Sequence, residues 1–225
     1  MSAVSQPPGL LGRISRASRR DADAIAALRV ACYRQAREFE LLQPQCLSWT
    51  ALDDEAVVFQ LHGLDSELLA TVRSHWVASA AALEQRMGCE CELPPECFPT
   101  LYFSRGATVP SAGRLGLHSV LRYHYLLAAQ RLGAASATGS VYEHAPRVRS
   151  MAELGYRFDR PQRIWDPEVR LIQAMLVAWL PAAGLAEAVR TLAAVLGDTL
   201  HRCPIDFDVA AAQGPCPRLA PAGAA

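Results

Sequence analysis

Between Leu101 and Phe158 the chain reads as an apolar strand, a turn, a long helix, a second strand and a short helix ending in Leu154-Gly155-Tyr156. The two strands read as Leu101–Val109 and Ala135–Tyr142. The helix between them starts after Gly116 and closes at Gly133, a residue type that tolerates the left-handed cap conformation.

Around this unit the pattern is coarser. Asp21 precedes a helical stripe of Ile25, Leu28, Cys32 and Phe39. Ala56–Leu61 and Glu67–Trp76 flank Gly63-Leu64-Asp65 and predict a hairpin, with Leu68, Ala70, Val72 and Trp76 on one side and Leu69, Thr71, Arg73 and His75 on the other. Ser79–Met87 reads as a short helix, and Leu185–Leu196, ending at Gly197, as an amphipathic one. The uncharged run Leu171–Ala186 is too short to span a membrane and reads as a core or interface helix. These signals divide the chain into a flexible arm (1–20), an α/β domain (21–168), a helical extension (169–207) and a disordered tail (208–225).

Composition removes several function classes. The 22 basic residues, all arginine, balance 22 acidic ones, so no global field draws the chain to nucleic acid or to a membrane surface. No apolar run near Met1 could serve as a secretion signal, and seven cysteines without such a signal read as reduced thiols in the cytoplasm. Cys89, Cys91 and Cys97 cluster in one loop, but their spacing lacks the second Cys pair or histidines of a zinc site, so no metal is expected.

The run Ser104-Arg105-Gly106-Ala107-Thr108-Val109-Pro110-Ser111-Ala112-Gly113-Arg114-Leu115-Gly116-Leu117-His118-Ser119 resembles, without gaps, the acyl-donor half of the GCN5-related N-acyltransferases. In that family a strand leads through an Arg/Gln-x-x-Gly-x-Gly/Ala loop into a helix whose first amides hold a pyrophosphate. The resemblance implies an α/β fold with a mixed central sheet flanked by helices. It also implies two central strands that splay so that a pantetheine arm lies between them. Ala107, Thr108 and Val109 would then line the arm, and Arg114, Gly116, Leu117, His118 and Ser119 the phosphate end. Three departures stand out: Gly113 where Arg or Gln is usual, His118 where a small residue is usual, and Met151 where the family places a tyrosine that protonates the leaving thiolate.

Residues 20 to 160 also resemble the acyl-homoserine-lactone synthases and the N-acyl amino acid synthases. Arg29, Arg73 in Leu-Leu-Ala-Thr-Val-Arg, and Arg105 in Phe103-Ser104-Arg105 fall where those enzymes carry arginines. The resemblance implies that Arg29, Arg73 and Arg105 grip an acceptor carboxylate, with Arg73 and Arg105 catalytically important. The alternative is that each pairs with Asp53, Asp54 or Asp65 and braces the fold. Asp53-Asp54, an acidic pair those enzymes share, reads more simply as a solvated turn, and Tyr102 replaces a glutamate expected of a homoserine-lactone producer. Glu143, with His144, is a candidate base for the amine.

The expected function is therefore N-acyl transfer from a phosphopantetheine thioester, on acyl-CoA or acyl carrier protein, to an amine such as an amino acid. Arg114, Arg122, Arg147 and Arg149 could complement an acidic carrier protein. An ordinary acetyl-CoA-dependent N-acetyltransferase and a non-catalytic acyl-binding module are the alternatives.

Overall fold

The computed structural model describes residues 9–34, 44–110, 115–145, 147–159, 162–166 and 171–213. The first half of the chain forms β1 (Gly12–Arg16), α1 (Ala22–Tyr33), α2 (Ala51–Asp54), β2 (Val57–Gly63), β3 (Leu68–Val77), α3 (Ala80–Met87) and β4 (Thr100–Thr108). The second half forms α4 (Leu117–Arg131), β5 (Ser136–Tyr142), α5 (Arg147–Glu153), β6 (Arg157–Phe158), β7 (Gln162–Asp166), β8 (Leu171–Pro181), α6 (Ala182–Leu196), α7 (Asp198–Arg202) and α8 (Val209–Ala212).

The strands build one eight-stranded sheet in the order β1-β2-β3-β4-β5-β8-β6, with β7 also pairing β8. Every ladder is antiparallel except β4 with β5, which is parallel. The central helix starts at Gly116 (φ 70°) and ends before Gly133 (φ 68°), two left-handed positions that a side chain would strain. One face of the sheet packs Leu101 and Phe103 of β4 against Leu117, Val120 and Leu121 of α4, with Leu185 and Leu192 of α6 behind them. Each such buried leucine contributes about 2 kcal/mol. On the other face Tyr102 joins Leu83 and Met87 of α3, and Ile25 of α1 meets Val58.

Three expectations need correction. The arm over 1–20 is not wholly without structure: residues 12–16 pair with β2, and Ile14 is buried there. Ile14 is buried between exposed Arg13 and half-buried Ser15, which fits an edge strand packed on one side. The run from Leu171 is not a helix but β8, and the chain turns helical only at Ala182. Its apolar monotony reflects burial of both faces, since Met175, Leu176, Val177 and Ala178 are buried in succession. The sheet thus crosses the expected domain boundary at 168, and the helical extension begins later. The expected tail from 208 starts with an ordered turn, since Asp208 caps α8 through the Ala210 and Ala211 amides, while 214–225 lie outside the described residues.

Candidate active site

The parallel pair carries the site. Residues Thr100 to Phe103 pair with Ser136 to Gly139, and there the ladder stops, although β4 continues to Thr108 and β5 to Tyr142. The closed end is stapled by buried hydroxyls: Thr100 Oγ1 lies 2.7 Å from Thr138 Oγ1, and Ser136 Oγ donates to Thr100 Oγ1 at 2.8 Å. On its far side β4 stays paired with β3, but with a bulge, because Arg73 pairs Ser104 and Thr71 pairs Ala107. Arg105 and Gly106 therefore share the place opposite Val72, and Arg105 adopts φ 57°. A left-handed non-glycine residue at such a point costs about 1–2 kcal/mol and marks a position held by its surroundings.

A cavity opens where the ladder ends, and its wall draws on both faces of the sheet. Tyr33, Arg86, Met87, Tyr102, Ser104 and Arg105 line it, together with Phe103, Gly106, His118, Arg122, Tyr125, Arg147, Met151 and Tyr156, and with Ser140 and Tyr142 of β5. Phe103 stacks on Tyr125 with ring centroids 3.6 Å apart. The His118 ring lies against Gly106, where an added Cβ would come within 2.9 Å of Cε1. Glycine at 106 thus leaves room for the histidine that replaces the usual small residue. Burial, then the charges of Arg122 and Arg147, hold the His118 pKa well below its ordinary value, so the imidazole is neutral near pH 7. Burial and the neighbouring Tyr125 push the Tyr156 phenol well up, so it keeps its proton.

The three arginines expected to act together separate. Arg105 is in the cavity wall, whereas Arg29 and Arg73 are not. Arg29 Nη2 donates to Asp53 Oδ1 at 2.6 Å, and Arg73 Nη1 lies 3.6 Å from Asp53 Oδ2, all three side chains being almost wholly buried. Arg73 Nε also donates to Ser104 Oγ at 3.0 Å. Asp53 in turn accepts from the Thr50 amide and hydroxyl at the start of α2. The solvated-turn reading therefore holds only for exposed Asp54, which pairs with Arg19, and fails for Asp53. The buried triad fixes β3 beside β4 directly behind Ser104.

The other expected residues distribute as follows. Ala107 is buried against β3, the Val109 amide donates to the Leu69 carbonyl, and the Thr108 carbonyl accepts from Cys32 Sγ at 3.1 Å. Leu117 faces the core, Ser119 is half-buried, and Gly116 precedes the helix without a side-chain cap. Arg114 lies outside the described residues. Glu143 follows β5 outside the cavity wall, its carboxylate 3.9 Å from His144 Nε2. Arg122 is buried in the wall rather than displayed on a surface, so it cannot serve a carrier protein's docking face. Sequence reasoning did not assign Tyr125, Tyr142 or Tyr156 to the site. Their signal was available only once Met151 was known to share their cavity. Among the described residues no group of three or more histidine, cysteine or acidic side chains is placed to hold a metal, and no helix is long and apolar enough to cross a membrane.

No protein-family model matches the sequence, and no curated protein does. Solved structures do match. One is that of a CoA-dependent acyl-homoserine lactone synthase, BjaI, with SAM and isopentyl-CoA: 14% identity over 91% of this chain and 100% of that chain, TM-score 0.60. A second is an N-acetyltransferase from Staphylococcus aureus Mu50: 12% identity, 76% and 98% of the two chains, TM-score 0.54. A third is the CoA-dependent acyl-homoserine lactone synthase MesI: 14% identity, 82% and 95%, TM-score 0.51. The chain therefore has the fold of the GCN5-related N-acyltransferases, in a form similar to the acyl-homoserine lactone synthases. At these identities the likeness speaks for the fold, and chemistry has to be argued from the site.

Proposed function

We propose that this protein is an N-acyltransferase that moves an acyl group from a phosphopantetheine thioester to the amine of a small acceptor, such as an amino acid. The observation that carries the reading is the gap that begins beyond Phe103 and Gly139. A β4 edge left without a β5 partner inside a sheet suits an extended ligand that bears amides, and a pantetheine arm is such a ligand. Gly116 and the amides that follow it offer a phosphate the positive end of a helix of 15 residues.

In this reading the acceptor enters beside Arg105, whose guanidinium takes its carboxylate. The neutral amine attacks the thioester carbon, loses its proton to solvent water, and the tetrahedral oxyanion collapses with expulsion of the thiolate. Tyr156 donates the proton that the thiolate needs, doing from just before β6 what a tyrosine at position 151 does in the resembled family. Glu143 is not assigned as the base, because its carboxylate lies outside the wall. The donor is acyl-CoA or acyl carrier protein. Of the arginines considered for a carrier protein, Arg149 is exposed, although paired with Glu153.

The test supplies acyl-CoAs and acylated carrier protein with a panel of amino acids, and reads free thiol together with N-acyl product by mass spectrometry. Thiol and N-acyl product should appear in equal amounts. No product from any donor, with donor binding intact, would favour a non-catalytic acyl-binding module.

A further inference from the structure

The cavity wall carries Arg86, Arg105, Arg122 and Arg147 and no aspartate or glutamate. Arg86 reaches Glu55 at 3.5 Å outside the wall. Arg122 is different. It is 3% exposed, its Nε donates to Tyr125 Oη at 3.2 Å, and among the described residues no carboxylate pairs with it. With no carboxylate beside it, the rest of the guanidinium faces the cavity, where an anionic ligand can compensate its charge. Arg147 stands close by, its Nη1 being 3.7 Å from the point where a Gly106 Cβ would lie, beside the ring of His118.

We infer that Arg122, supported by Arg147, forms a carboxylate-binding subsite that selects a donor whose acyl group ends in a carboxylate. The inference rests on the transferase reading above. Position favours the acyl group over the donor's phosphates as the source of the anion. Phosphates belong at the start of α4, and Arg122 sits five residues further along it, about 7–8 Å deeper. There it touches Tyr125, which stacks on Phe103, the last residue of β4 to pair with β5. The acceptor's carboxylate is already assigned to Arg105.

The experiment compares succinyl- and glutaryl-CoA with butyryl- and hexanoyl-CoA in the wild type, Arg122→Met and Arg122→Lys. Glutarate, acetate and inorganic phosphate binding to the free protein is followed in parallel by calorimetry. Arg122→Met removes an uncompensated buried cation, so it should fold, and circular dichroism verifies this. The wild type should prefer the carboxylate-terminated donors roughly tenfold to a hundredfold in kcat/KM, and Arg122→Met should erase or invert that ratio of carboxylate to alkyl donors. Arg122→Lys should retain part of it, because charge survives without the planar fork. Glutarate should bind the wild type and not Arg122→Met. Alkyl donors preferred by the wild type, a rise only in acceptor KM, or loss of phosphate binding in place of glutarate binding would each overturn the subsite and leave the transferase standing. Failure of every donor, with glutarate binding that depends on Arg122, would remove the transferase and keep the subsite.

Discussion

Asp53 and Asp54 are neighbours of identical chemistry in different surroundings, and replacing each with asparagine separates a buried ion cluster from a surface one. Asp53 compensates Arg29 and Arg73, whose side chains are 0% and 1% exposed, through contacts of 2.6 and 3.6 Å. Neutralising it leaves two guanidiniums inside the protein without a counter-charge, and breaking a buried pair in this way costs about 3–5 kcal/mol. Asp53→Asn should therefore forfeit a large fraction of the roughly 5–15 kcal/mol that keeps a domain folded. Asp54 meets Arg19 with side chains 41% and 77% exposed, and asparagine can still accept from Trp49 Nε1, so Asp54→Asn should cost under about 1 kcal/mol.

Urea unfolding at pH 7 measures both, and acid adds a second reading. Burial alone would raise the Asp53 pKa, but the Arg29 hydrogen bond and the Arg29 and Arg73 charges outweigh it and hold the carboxyl below its ordinary value. A depressed folded pKa means the stabilisation is fully present above the unfolded value of about 3.9 and is lost as pH falls through the folded one. The gap between wild type and Asp53→Asn should thus be complete at neutral pH and close only below about pH 4. Equal unfolding free energies for the two variants at pH 7 would refute the buried-triad argument.

Three further predictions concern turnover. Tyr156→Phe should lower kcat roughly a hundredfold with little change in either KM, the size expected when a proton donor is lost; unchanged kcat removes Tyr156 from that role. Arg105→Lys should raise the KM of a carboxylate-bearing acceptor while donor binding holds, as steady-state kinetics with an amino acid and with its carboxamide would show. Gly106→Ala puts a methyl within 2.9 Å of His118 Cε1, so the ring must move and donor kcat/KM should fall about tenfold or more. A crystal structure of that variant with an undisturbed His118 would contradict the packing argument.

How much was legible in the sequence depended on how local the signal was. The unit from Leu101 to Phe158 was readable because its alternation, its glycines and its helical stripe all lie within one short stretch. β8 was not, because a strand buried on both faces, as Met175 to Ala178 are, has no alternation and imitates a core helix. β1 was missed because one edge strand with a single deeply buried side chain resembles a polar arm. At the site, Arg105 and His118 followed from their place in the motif. The sorting of the arginines did not: whether Arg73 reaches a ligand or Asp53 depends on contacts between segments about 20 residues apart. Arg122 looked like a surface residue because it is flanked in sequence by Leu121 and Tyr123, and only the packing of α4 turns it inward.

The sheet is in effect two leaves joined along a short spine of four residue pairs, Thr100 to Phe103 with Ser136 to Gly139. β1 to β4 form one leaf and β5 to β8 the other. Between them the usual rungs are missing over the outer half, so the structure is least reinforced where it has most to hold. A thioester arm laid in that space would replace the absent rungs and bind the leaves together, making the donor a temporary strand of the fold. Such a ligand stabilises by mass action, by about 2.7 kcal/mol at a hundred times its Kd. The loaded protein should therefore be the stiffer one, and release of the spent carrier should loosen the sheet along the opening through which the next donor enters.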